Sequence, residues 1–191
     1  MRFVALLFCV ALLVAGCGSD EKSSEPPPTI LPNAATPDEW AGRIVNRLMR
    51  PMNKDLQVLG TLNNPQVKIY IESQNPTTLR ILNNRMTDLG KCSDRLLTIG
   101  PPPASAGDVK QLRQIDGALH RACPHYVKVS ETVLDAVEMM SSGREDVVAE
   151  GDKKLTSAAP ESQKAAEAYQ EAIQVAQELD EFKLHGLRPS A

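Results

Sequence analysis

From residue 37 onward the apolar positions of this chain recur in steps of three and four, the period of one helical face. In the first such segment Ala41, Val45, Leu48, Met52, Leu56 and Leu59 form the stripe. Thr36-Pro37-Asp38-Glu39 precedes it as a start signal: a capping hydroxyl, a proline at the first helical position, and two acids at the positive end of the dipole. Pro51 falls inside the segment and should bend it. Asn63-Asn64-Pro65 ends or restarts the helix. The stretch PQVKIYIESQ then breaks the pattern, because Val67, Ile69 and Ile71 alternate as in a strand. No second strand is present to meet its backbone groups, so a short helix or an irregular link is expected over 65–74.

A second helix should start at Asn75-Pro76, with Leu79, Leu82, Met86, Leu89, Leu96 and Ile99 inward. GPPPASAG at 100–107 interrupts the chain, and Asp108 is the expected cap of a third, long helix. Its seam runs from Leu112, Ile115 and Leu119 through Tyr126 and Val133 to Met140, closed by Ser141-Ser142-Gly143. The last segment begins near Arg144 with Val147, Val148, Gly151 and Leu155. It passes Pro160-Glu161, either a kink or a new first turn, and continues through Ala165, Tyr169, Ile173 and Phe182. Four amphipathic segments with short breaks predict an all-α fold, an up-down four-helix bundle with kinked long helices over residues 37–185. Residues 186–191 are expected to fray.

Ahead of this domain stands a different pattern. Arg2 precedes an apolar run from Phe3 to about Gly16, some 14 residues or ~21 Å as a helix. A bilayer core needs roughly 30 Å. A positive start, a short apolar centre and small terminal residues make a secretory signal over residues 1–16. Its last residues and the one after them, Val14-Ala15-Gly16-Cys17, resemble the lipobox of bacterial lipoprotein precursors. The resemblance covers only the first 17 residues. It implies that the Cys17 thiol receives a diacylglyceryl group and that cleavage leaves Cys17 first, with Cys9 discarded. Two acyl chains suffice for stable anchoring. The expected location is the extracytoplasmic side of a cell membrane, and the outer membrane where a cell has two, since Gly18 rather than Asp follows the anchor. Residues 18–36, GSDEKSSEPPPTILPNAAT, read as a flexible tether behind the lipidated cysteine. Ile30 and Leu31 are the large apolar residues in it that could dock on the domain.

Composition narrows the partners. The chain has 21 Lys+Arg against 24 Asp+Glu, a formal charge of −3. Loss of Arg2 with the signal makes the mature chain more acidic still. Nucleic-acid binding favours basic domains, so nucleic acid is not an expected partner. Trp40, Tyr70, Tyr126, Tyr169 and Phe182 are too scattered to form a stacking platform. No HExxH, CxxC, P-loop, GxSxG or acidic calcium loop occurs, and no enzyme class is indicated.

Two cysteines remain beyond the signal. Outside the cytoplasm, Cys92 and Cys123 read as a disulfide. If the second and third helices had level ends, Cys92 would face residue 115. Pairing with Cys123 needs the third helix to start about 12 Å further on. Pro101-Pro102-Pro103, extended, spans ~9 Å of that, and Pro124 should bend the third helix at the same height. Asp116, His120 and Cys123 have metal-ligand spacing, but a disulfide removes Cys123 and leaves Asp116–His120 as a surface pair. His120 and His125 lie ~140° apart around a helix and cannot grip one ion. Met49, Met52, Met86, Met139 and Met140 are haem ligands by type, yet their helical spacing marks core filler. Glu145, Asp146, Glu150 and Asp152 suit a solvated helix face near an N-terminus. No metal or cofactor is expected. The reading is a non-enzymatic interaction or scaffold module with an unidentified cell-envelope protein as partner. The alternative is a helical bundle that binds a small ligand, metal or haem.

Overall fold

The computed structural model describes residue 29, residues 31–104 and residues 109–187. The apolar run over 1–16, Cys17 and Asp108 lie outside the described residues, as do residues 188–191. The described chain is all-helical in its regular structure, and no strand occurs among the described residues. No helix among them is long and apolar enough to cross a membrane.

The first segment runs from α1 (Pro37–Arg43) to α2 (Arg50–Thr61) through a π-helical stretch, Ile44–Met49. The Thr36 hydroxyl accepts the Glu39 N–H, as its position before Pro37 predicts. The π stretch was not legible in the sequence, which led us to expect a bend at Pro51 alone. The Arg50 N–H reaches back five residues to the Val45 carbonyl, so one extra residue is inserted in the turn before Pro51. That insertion absorbs the bond the proline cannot make.

The ambiguous stretch is the helix α3 (Pro65–Glu72). Asn64 caps it through Oδ1 and the Gln66 N–H, and Gln74 ends it at φ 55°. Alternation gave way to helix because a local cap was available and no strand partner was. Asn75 then caps α4 (Pro76–Gly90).

The expected second helix is divided. Lys91 separates α4 from α5 (Cys92–Ile99). Gly90 sits where a Cβ would lie 2.9 Å from the Ser130 Oγ of α6 (Val109–Met140). The Ser130 hydroxyl donates to the Met86 carbonyl at 2.6 Å. A glycine at the helix end therefore buys close approach of the two helices at the expense of local helix stability. Two residues on, Cys92 is joined to Cys123 with Cα atoms 5.1 Å apart. With α5 ending at Ile99 and α6 starting at Val109, level ends would set Cys92 opposite residue 116, so the bonded pair is offset by seven residues, close to the eight expected. The start of α6 thus projects beyond the end of α5, with Pro101–Pro103 between them. Pro124 lies within α6, which continues through it.

Gly143 at φ 75° ends α6, and α7 (Glu145–Ser157), α8 (Ala159–Glu178) and α9 (Asp180–Leu184) follow. Pro160 occupies the first turn of α8, so the open choice between kink and new helix resolves as a new helix. The stripe that continues to Phe182 in the sequence is broken again at Leu179, whose φ −91° and ψ 132° are extended. This turn folds α9 back onto α1. Phe182 meets Trp40 edge-on with ring centroids 6.1 Å apart, and both are fully buried. The Trp40 Nε1–H donates to the Gly100 carbonyl at 3.0 Å. Leu31 donates its N–H to the Thr98 carbonyl at 3.1 Å, and Ala34 is buried. The entering chain thus lies against the α5 end of the domain. Gly186 and Leu187 close on the carbonyls of Lys183 and Phe182.

Candidate functional site

Two grooves flank α2, and they differ in chemistry. The first lies between α2 and α4, with a volume of about 520 Å³. Val58 and the exposed Ile81 give it an apolar floor. Lys54, Arg80 and Arg85 line it as cations, with Asp88 as the one acid. Behind the floor lies Asp55, a carboxylate only 1% exposed. Its Oδ1 is 3.5 Å from Arg85 Nη1, and its Oδ2 is 3.7 Å from Arg95 Nη1. Arg95 Nη2 also meets Asp88 Oδ1 at 3.4 Å. Burial raises the Asp55 carboxyl above its ordinary range, Asp88 adds to the rise, and Arg95 and Arg85 oppose it. Asp55 Oδ2 and Arg95 Nη1 are buried without a hydrogen bond. The buried carboxylate therefore fixes Arg85 from below. Lys54 and Arg80 form no ion pair among the described residues. In a chain of net negative charge, this groove carries a local excess of two positive charges.

This cluster is not among the residues that motif spacing singles out. A signal for it existed: Asp55 stands on the line from Met52 to Leu59, three residues after one and four before the other. A charge on an apolar seam needs a partner.

The second groove lies between α2 and α8, with α6 as its floor and a volume of about 350 Å³. Tyr126 of α6 and Tyr169 of α8 meet edge-on, centroids 6.1 Å apart. The Tyr169 hydroxyl donates to Asn53 Oδ1 at 3.1 Å and lies 3.4 Å from the Met49 carbonyl. Burial pushes the Tyr126 hydroxyl up to about 12, so it is neutral across the physiological range. Tyr126 is 2% exposed as a residue. Its hydroxyl is not among the buried atoms left without a partner, which are Asp55 Oδ2, Arg95 Nη1 and Asp116 Oδ1 among the described residues.

The residues singled out by type are dispersed. Cys92 and Cys123 are bonded, with Cys92 Sγ 3.5 Å from Met52 Sδ. His120 Nε2 lies 3.7 Å from Asp116 Oδ1 on the same helix, and burial raises the Asp116 carboxyl. His125 Nδ1 instead meets Glu161 Oε2 at 2.6 Å, across to α8. Hydrogen bonds from His125 and from Lys164 lower the Glu161 carboxyl to about 2. His185 binds Asp38 across the α9–α1 contact. Met49, Met52, Met86 and Met140 are buried in the core, and Met139 packs over Gly151. Of the acidic run, Asp152 pairs with Lys68 of α3. Among the described residues, no three His, Cys, Asp or Glu side chains are grouped as a metal site.

Comparison with protein-family models, with curated proteins and with solved structures gives no match to this chain.

Proposed function

We propose that this protein is a lipid-anchored module of a bacterial cell envelope, held by Cys17 on the extracytoplasmic face, that works by binding another envelope protein and not by catalysis. In a two-membrane cell its place is the outer membrane. Neither nucleic acid nor a cofactor takes part. The fold in this reading is an up-down four-helix bundle whose members are bent: α1–α2, α4–α5, α6 and α7–α9. Support comes from contacts that run in opposite order along each neighbouring pair. Asp55 meets Arg85 and Met52 meets Cys92; Lys154 meets Asp135 while Arg121 meets Glu171; Asn53 meets Tyr169 while Asp38 meets His185.

The observation that carries the function is the α2–α4 groove. Lys54 and Arg80 form no ion pair among the described residues, and they line a cleft that also exposes Ile81. A segment bearing carboxylates around one apolar side chain complements that arrangement, and electrostatic complementarity sets partner choice and encounter rate. The tether from Cys17 would give such a module reach without a membrane-spanning helix.

A photoreactive amino acid in place of Ile81, in cells, tests the reading. The expected result is one dominant protein adduct that is lost in the Lys54→Glu, Arg80→Glu double variant. No protein adduct, or one that is indifferent to charge reversal, overturns the groove as the working surface. Whole-protein mass tests the anchor: the mature chain should carry acyl mass, and Cys17→Ser should leave the precursor uncleaved. An unacylated mature N-terminus would sink the lipoprotein reading.

A further inference from the structure

We infer that the α2–α8 groove is a separate binding site for an uncharged amphiphile, an apolar body of modest size with one hydrogen-bond-accepting head that Tyr126 anchors. The site is distinct from the cationic groove and does not depend on it, since the two lie against different faces of α2.

Three observations carry the inference. The first is the lining. No Asp, Glu, Lys, Arg or His lines the groove. Leu56, Leu59, Ala166 and Ile173 supply apolar walls, and the polar members are neutral amides and hydroxyls such as Asn63, Ser162 and Gln170. On a chain with 24 acidic and 21 basic residues, a charge-free recess is a chemical selection. An ionised ligand would lose hydration there and find no counter-charge. A volume of about 350 Å³ lies at the small end of the range for small-molecule sites, roughly 300–1,000 Å³.

The second observation is Tyr126. Tyr126 is buried as a residue and still lines the groove, and its hydroxyl makes no side-chain hydrogen bond like those of Tyr169 among the described residues. Tyr169 beside it is fully engaged with Asn53 and the Met49 carbonyl. An apolar guest that displaced water from this floor would leave the Tyr126 hydroxyl unsatisfied. A guest with a carbonyl, ether or hydroxyl oxygen at that point restores the bond. Sites built this way reject analogues that lack the polar atom. The Asn53 carbonyl oxygen is taken by Tyr169, so its amide N–H groups remain as additional donors to the same head.

The third is Gly60. It lies near the end of α2 and lines the groove, and a Cβ built there meets nothing within 4 Å. An alanine Cβ would fit there and alanine has a better helix propensity. Its absence keeps the wall of the recess open.

Benzophenone is a suitable probe: neutral, diaryl, with one acceptor carbonyl. On irradiation its excited carbonyl takes a hydrogen atom from a nearby C–H, and the two carbon radicals join, so peptide mapping reports where it was bound. The full chain in phosphatidylcholine vesicles is irradiated over a concentration series. The expected result is saturable labelling of the peptides containing Leu56–Gly60 and Ala166–Ile173. Its charged analogue, 4-benzoylbenzoate, should label them at least about tenfold more weakly at equal concentration. Gly60→Leu should remove the groove labels and leave labels elsewhere unchanged, with unaltered helical circular dichroism. Ala166→Met, on the opposite wall, should do the same and guards against an effect peculiar to Gly60. Tyr126→Phe should weaken saturation about three- to tenfold, the loss of one hydrogen bond. Label spread without saturation, equal labelling by the carboxylate, or groove labels that survive both blocking variants would each overturn the inference. These outcomes leave the Ile81 adduct untouched, so the two readings fail separately.

Discussion

Removing the Cys92–Cys123 bond should cost this protein a large share of its stability, by an amount that follows from where the bond lies. The bond closes a chain separation of 31 residues. In the chain-entropy model, closing that loop in the unfolded state is worth ~3.7 kcal/mol at 25 °C. The residues inside the loop include Pro101-Pro102-Pro103, already stiff when unfolded, which should reduce the gain somewhat. Against this, the bond packs in the core: Cys92 is 0% and Cys123 1% exposed. Replacing both with alanine leaves a small void beside Met52 and adds a packing loss. The two corrections oppose each other, so the double Cys92→Ala, Cys123→Ala variant should lose about 3–4 kcal/mol. For a domain of this size that is a fall of roughly 7–15 °C in Tm. Urea unfolding followed by helical circular dichroism is the assay, on wild type with and without reductant and on the double variant. The reduced protein should also unfold with a steeper denaturant dependence, because its unfolded chain exposes more surface. Being buried, the bond should resist reductant in the folded state and yield only on opening. Equal midpoints with and without reductant would refute the entropy argument. Two free thiols in the unfolded, unreduced chain would refute the bond itself.

Two glycines should respond in opposite directions to the same substitution. Gly151→Ala places a Cβ 2.8 Å from Met140 Cγ and 2.9 Å from the Ala136 carbonyl, which is backbone and cannot turn aside, so a loss of about 1–3 kcal/mol is expected. Gly60→Ala meets open space and should gain up to about 1 kcal/mol; a thermal melt of each variant checks both signs. Trp40→Phe removes the donor to the Gly100 carbonyl and leaves a void beside Phe182; a loss of about 2–4 kcal/mol in urea unfolding is expected, and a change under 0.5 kcal/mol, on the order of a surface substitution, would contradict the packing described. Glu161 is held at about 2 from an ordinary 4.5, a lowered folded value, so its contribution is complete above the unfolded value and is lost as pH falls toward 2. Glu161→Gln should therefore flatten the fall of Tm below pH 4.5, and identical acid limbs in the two proteins would refute the pairing with His125 and Lys164.

Much of this molecule was written locally. The stripe from Leu112 to Met140 is a 3.6-residue period, and such a period fixes a helix and its inner face whatever packs against it. Thr36, Asn64 and Asn75 accept N–H groups within three residues of themselves, so these starts needed no tertiary contact. The cysteine pairing was legible because two cysteines remain beyond the signal and such a pair outside the cytoplasm reads as a disulfide; geometry then set the stagger the bond requires. Other features depended on neighbours distant in sequence. The breaks at Lys91 and Leu179 interrupt stripes with no local stop signal, because Gly90 must admit Ser130 and Phe182 must reach Trp40. The π turn before Pro51 is invisible to a periodicity argument, since one inserted residue shifts the stripe by less than its own width. Both grooves are tertiary in origin. Lys54, Arg80 and Arg85 share a cleft only once α2 and α4 lie side by side. Tyr126 looks like any seam aromatic until α2 and α8 make it part of the lining of a recess. Sequence periodicity says which face of a helix turns inward; which groups two such faces leave unpaired at their margin is settled only when the helices meet.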